Sequence, residues 1–190
     1  MAAALLPPLA RRTLLLSALA AWRAAGAGAS DDDGDGSAEY QVKAAFVCKF
    51  GNYVDWPARA LGAASEPFRI GVLAGGAVAE EFRRTAAAAS VAGHPVEVKR
   101  LVRGEAPEGL HVVFVSRAMG AQALAVMAAV QGRPVLTVTE LDSGGSPGMI
   151  NFVVVDDKVR FDILLPPIAQ SGLRISVRLL GVARRVEGRS

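Results

Sequence analysis

The segment Gly148–Leu165 (GMINFVVVDDKVRFDILL) constrains the fold most, because its strand pairing can be written from the residues alone. Two runs rich in Val, Ile and Phe flank Asp156-Asp157, a two-residue spacing of turn-tolerant residues, which predicts an antiparallel β-hairpin over about Met149–Leu164. Closing the turn at that pair sets Val155 against Lys158. Val154 then faces Val159, Phe152 faces Phe161, and Ile150 faces Ile163. These apolar pairs share one face, as a half-buried sheet requires. The opposite face pairs Asn151 with Asp162 and Val153 with Arg160, so it is expected to be mixed and half solvated. A slip of one residue would bury Arg160 and Asp162, which makes the register firm.

The remainder of the chain reads as one domain. Its 190 residues are 52% hydrophobic and 21% charged, enough for an ordinary core. The first 29 residues stand apart. Arg11-Arg12 forms a short basic region, Thr13–Trp22 a compact apolar run, and Ala27-Gly28-Ala29 a small-residue cleavage site. Residues 1–29 are therefore predicted to be a secretory signal peptide, with Arg23 ending the apolar run too early for a bilayer span. Removing Arg11, Arg12 and Arg23 from the 21 basic residues leaves 18 against 18 acidic ones. A neutral exported chain lacks the basic footprint of nucleic-acid binding. Residues 30–37 (SDDDGDGS), acidic and Gly-rich, are expected to be a disordered leader, 38–186 the folded domain, and 187–190 a tail.

Within the domain, Ser37 is placed to cap a helix over about Ala38–Val54, with an apolar stripe at Val42, Phe46, Lys49/Phe50 and Tyr53. Phe68–Ala74 is read as a buried strand, followed by a helix near Val78–Ala89 and a strand at Val96–Leu101. His111–Val115 has the continuous apolar pattern of a central parallel strand. A helix over Ala118–Val130 and a strand at Val135–Thr139 lead through a Gly-rich loop into the hairpin. A helical end follows from about Pro167, broken near Gly172 and resuming through Ala183. This spacing predicts a single three-layer α/β domain, a mostly parallel open sheet flanked by helices, with the hairpin at one edge and a terminal helix.

Motifs for chemistry are sparse. Gly71–Gly76 lacks the spacing of a dinucleotide loop and the Lys-Ser/Thr ending of a phosphate loop, and reads as a tight strand-to-helix turn. His94 lies in a turn, and His111 opens a buried strand as a satisfied core histidine. With Cys48 as the one cysteine, no metal-ligand spacing is found. Ser116, Ser143 and Ser146 have no recognisable His and acid partners, although triads assemble in space and a hydrolase stays open on that ground. Glu140 and Asp142 read as a solvated loop rim, and Cys48 as an unpaired, partly buried thiol off the centre of the helix stripe. No catalytic, cofactor-binding or metal residues are expected.

Glu39-Tyr40-Gln41-Val42-Lys43-Ala44-Ala45-Phe46, then Val54-Asp55-Trp56-Pro57, resembles the opening of the YfiR family of periplasmic regulators. The likeness continues at Ile70–Leu73, His111–Val115, Val135–Val138, Gly148–Phe152 with Val159–Phe161, and Gly172–Ser176. The resemblance implies a non-enzymatic periplasmic protein that represses a membrane-anchored diguanylate cyclase by contacting its periplasmic portion. Members often carry a Cys just before the central-strand His, where this chain has Leu110, so disulfide control does not carry over. The alternative is a periplasmic small-ligand-binding module of a sensor or uptake system. Partner contact is expected on the hairpin face and the terminal helix, through Asn151, Val153, Arg160, Asp162, Arg174 and Arg178. No nucleic acid and no membrane insertion after cleavage are expected, and a homodimer is left open.

Overall fold

The computed structural model describes residues 32–141 and 147–188, and Asp35–Ser190 forms one compact unit. In chain order the elements are α1 (Asp32–Asn52), β1 (Val54–Asp55), α2 (Ala58–Leu61), β2 (Phe68–Leu73), α3 (Gly76–Ala86), β3 (Ser90–Val91) and β4 (His94–Arg100). Then come β5 (Val112–Val115), a 3-10 turn (Arg117–Met119), α4 (Gly120–Val130), β6 (Leu136–Thr139), β7 (Ile150–Val155) and β8 (Lys158–Leu164). The chain closes with α5 (Leu165–Ser171), β9 (Arg174–Ile175), α6 (Val177–Val182) and β10 (Arg185–Glu187).

Eight strands form one sheet in the order β10-β8-β7-β6-β5-β2-β4-β3, parallel except at β7/β8 and β3/β4. Strands β1 and β9 pair separately, Val54 with Ile175 and Asp55 with Arg174. One face of the large sheet is covered by α1 and α3, with Val47, Phe50 and Phe82 packed over Ile70, Phe114 and Ile150. The other face is covered by α4, through Ala123, Val126 and Val130 against Val113 and Val115. Helices on both faces bury β5 and β6 throughout and every residue of β2 but Arg69, which is why Val112–Val115 reads as a continuous apolar run. The three-layer expectation therefore holds.

The hairpin has all six predicted pairs, from Ile150↔Ile163 to Val155↔Lys158. Asp156 and Asp157 have φ of 49° and 56°, the two left-handed residues that match a tight turn to strand twist. Phe152 and Phe161 are both buried and meet α1 through Phe50, whose ring lies 4.9 Å from Phe161 and 5.8 Å from Phe152.

Helix α1 corrects the expected stripe. Val42 and Tyr53 are 43% and 39% exposed, whereas Lys43, Ala44, Val47, Cys48 and Phe50 are buried. Small residues set the buried side. A Cβ on Gly51 would stand 2.8 Å from Val91, so only glycine lets α1 lie this close to β3. Cys48 belongs to the buried face, and burial raises its thiol pKa to about 11. The helix also begins at Asp32, so Ser37 is inside it rather than at its cap, and the helix takes in most of the stretch read as a leader. At the other end, Arg185–Glu187 is a strand beside β8, so the expected tail loses Glu187 to the sheet. Residues 1–29, with the signal-peptide expectation, lie outside the described residues.

Candidate partner interface

The hairpin reaches beyond its sheet neighbours. On one side β6 pairs only with Ile150 and Asn151, and on the other β10 pairs only with Asp162, Ile163 and Leu164. Between them, residues 153–160 form a two-stranded arm whose outer edges are unpaired among the described residues. An open edge is a template for another chain, and charged residues near it limit indiscriminate pairing. Lys158 and Arg160 supply those charges, while Val154 remains 46% exposed. The arm and the first turns of α1 enclose a groove of about 450 Å³ lined by Val42, Val154, Val159, Glu39, Lys158 and Arg160.

The expected contact residues divide. Arg160 is exposed on the arm and Val153 half-buried; Arg174 on β9 and Arg178 on α6 are also exposed. Asn151 and Asp162 are buried, which corrects the expectation of a half-solvated face. Asn151 Oδ1 accepts from Thr139 Oγ1 at 2.7 Å and from the Leu141 N–H at 2.9 Å, and its Nδ2 donates to the Leu141 carbonyl at 3.0 Å. It locks the end of β6 to β7. Asp162 accepts from both arms of the Arg184 guanidinium, Nε at 2.8 Å to Oδ1 and the terminal nitrogen to Oδ2, which fastens β10 alongside β8. The two residues are scaffold because their side chains are tied to partners outside the hairpin, Asn151 to Thr139 and Leu141 at the end of β6 and Asp162 to Arg184 just before β10. Leu179, next to Arg178, is the buried residue of α6.

A charged cluster fixes the α1 wall of the groove. Lys43 and Glu140 are ion-paired, with side chains about 1% exposed, and Lys43 also pairs with Glu39. Tyr40 donates to Glu140 Oε1 at 2.7 Å, and the Arg117 N–H donates to the same oxygen at 2.9 Å. The Arg117 guanidinium reaches Glu39 at 3.1 Å, and Lys43 Nζ lies 4.9 Å from the Tyr40 ring centre. Two cations thus balance two carboxylates at the carboxyl ends of β5 and β6. Burial, then the Glu140 carboxylate, pushes the Tyr40 hydroxyl pKa well above its usual value. Glu140 is therefore no solvated rim. Sequence analysis missed this cluster, although Tyr40 and Glu39 stand three and four residues before Lys43, the spacings that bring side chains together on a helix.

The remaining candidates are structural. His111 Nδ1 accepts from the Arg69 N–H at 2.9 Å, and its Nε2 donates to the Ala60 carbonyl at 2.9 Å. Burial lowers its pKa, so the ring is a neutral core histidine, stacked 4.7 Å from Phe68. Leu110 is buried against β2. A Cβ on Gly71 would stand 2.4 Å from its Cδ1, so the leucine occupies the space over that glycine. Among the described residues no three His, Cys, Asp or Glu side chains cluster to hold a metal ion. Ser143, Ser146 and Asp142 lie outside the described residues.

A family model described as YfiR/HmsC-like fits residues 40–184. No curated protein matches the chain.

Proposed function

The chain belongs to the YfiR/HmsC-like family of regulators, and from that membership we propose that it is an exported, non-enzymatic repressor of a membrane signalling protein, the first candidate being the periplasmic portion of a diguanylate cyclase. The projecting hairpin arm carries this reading. It offers unpaired backbone edges, an exposed apolar centre at Val42 and Val154, and a charged rim at Glu39, Lys158 and Arg160. An apolar centre within a polar rim is the anatomy of a protein interface, and an open strand edge supports recognition by strand addition. Arg174 and Arg178 form a second exposed patch at the end of the chain. Among the described residues no helix is long and apolar enough to cross a membrane, so contact with a membrane protein falls to such surfaces.

The test is titration of the chain from Ser30 with the periplasmic domain of a membrane-anchored cyclase encoded beside its gene. Arg160→Glu is expected to weaken that complex about tenfold or more, because reversing the charge sets like charges against each other across the interface. Unchanged affinity in both Arg160→Glu and Arg178→Glu places the interface elsewhere.

A further inference from the structure

A cavity of about 260 Å³ opens at the amino ends of β2, β5 and β6, and three arginines line it. Each comes from a different element: Arg59 from α2, Arg69 from β2, and Arg133 from the turn between α4 and β6. His111 ties the first two together. Its Nδ1 accepts from the Arg69 N–H, and its Nε2 donates to the carbonyl of Ala60, the residue after Arg59, both at 2.9 Å. Arg133 is fixed by its own turn. Its N–H donates to the Val130 carbonyl at 3.0 Å, and its carbonyl accepts from the Val135 N–H at 2.8 Å. The Leu136 N–H donates to the His111 carbonyl at 2.8 Å, which joins that turn to the other two. The three backbones therefore belong to one braced frame.

The charges on this frame are not balanced. Glu66 is the one carboxylate among the described residues lining the cavity, so the three guanidinium groups leave two positive charges over. His111 adds none, because burial, with the Arg69 charge behind it, lowers its pKa. Among the described residues Glu66 pairs with none of the three arginines. Its carboxylate lies against Gly62, where a Cβ would stand 2.6 Å from Oε2. Arg69 Nε is 3.6 Å from Glu97, a contact between side chains 39% and 59% exposed that contributes little. Arg133 makes one long side-chain bond, 3.4 Å to the Ala129 carbonyl, from a group with several donors. A cleft lined by one sign of charge concentrates the opposite ion.

We propose that this cavity binds a phosphate group, either the free dianion or the end of a small phosphomonoester. A guanidinium fork matches two phosphate oxygens. A tetrahedral anion has oxygens for all three arginines, whereas a carboxylate has two to divide among them. Its two negative charges cancel the two left over. The volume falls below the roughly 300–1,000 Å³ of sites for larger molecules, which suits a small anion. The site shares no lining residue with the groove at the hairpin arm and does not rest on the repressor reading.

The experiment titrates inorganic phosphate into the chain from Ser30 at about pH 8, where the anion is mostly doubly charged, with sodium chloride holding the ionic strength constant. Amide chemical shifts are expected to saturate at residues 59–62, 69, 109–111 and 133–135. Arg59→Gln and Arg133→Gln should each weaken binding about tenfold, the worth of one charge-assisted bond, and together abolish it. The melting temperature without phosphate should stay unchanged in both. Glu66→Gln should tighten binding about threefold, because it removes the negative charge lining the cavity. Tighter binding of glycerol 1-phosphate than of inorganic phosphate assigns the site to a monoester, and the reverse assigns it to the free anion. Absence of saturable shifts, shifts centred elsewhere, equal shifts with chloride alone, undiminished binding by the double arginine variant, or weaker binding by Glu66→Gln would each overturn the proposal.

Discussion

Lys43 and Glu140 are 97 positions apart and form a buried ion pair that ties α1 to the end of β6. Around it, Tyr40 and the Arg117 N–H also spend their hydrogen bonds on Glu140. Glu140→Ala strands those donors and leaves Lys43 buried with Glu39 alone. The expected loss is about 3–5 kcal/mol in urea unfolding, the range for breaking a buried pair. Replacing both partners, Lys43→Met with Glu140→Leu, should be less costly than Glu140→Ala, since no charge is then left unpaired. A double variant at least as unstable as the single one contradicts this account.

Phe152 and Phe161 face each other across the hairpin, and both pack on Phe50. Phe→Ala at either position should cost about 3–5 kcal/mol of stability, as large-to-small changes in a packed core do. A loss of about 1 kcal/mol or less at both would mean that these rings carry little of the core.

Cys48 is predicted to be inert to thiol reagents in the native state. With its pKa at about 11, roughly a thousandth of the thiol is ionised three pH units lower, at pH 8. Labelling by a disulfide reagent should be slow in buffer and fast in denaturing urea. The folded pKa is raised above the ordinary thiol value of about 9, so the stability contributed by the protonated thiol is complete below pH 9 and is lost as pH rises towards 11. The stability gap between the wild type and Cys48→Ala should therefore narrow between pH 9 and 11. A gap that stays constant across that interval refutes the buried-thiol assignment.

Arg160 and Arg178 are exposed and have no acidic partner among the described residues. Charge reversal at either should shift stability by about 0.5 kcal/mol or less, since exposed charges contribute little. A larger loss in thermal unfolding would show a structural role and disqualify these variants as probes of partner binding.

Asp162 shows how β10 is retained. Arg184→Ala removes its bidentate partner while the Arg184 N–H still donates to the Phe161 carbonyl at 2.8 Å. Amide exchange at residues 185–187 should accelerate, with a stability loss of about 1–3 kcal/mol for the buried carboxylate left unmatched. Unchanged exchange there would mean that backbone pairing alone secures the strand.

What the sequence determined by itself was local. The pairing from Val155↔Lys158 to Ile150↔Ile163 followed from alternation around Asp156-Asp157, because a two-residue turn leaves one register that buries an apolar face. The strands at Phe68–Leu73 and Val112–Val115 were legible as apolar runs for the same short-range reason, and the motifs around Glu39–Phe46 and Gly148–Phe152 carried the family. Only the tertiary structure decided what covers each face. Asn151 and Asp162 are buried and tied to side chains and backbone outside the hairpin, Thr139, Leu141 and Arg184. The buried side of α1 runs through Lys43 and Cys48 rather than Val42 and Tyr53, because Gly51 admits Val91 and Glu140 receives Lys43. Burial and charge pairing depend on partners tens of residues away, and side-chain periodicity along one element holds no record of them.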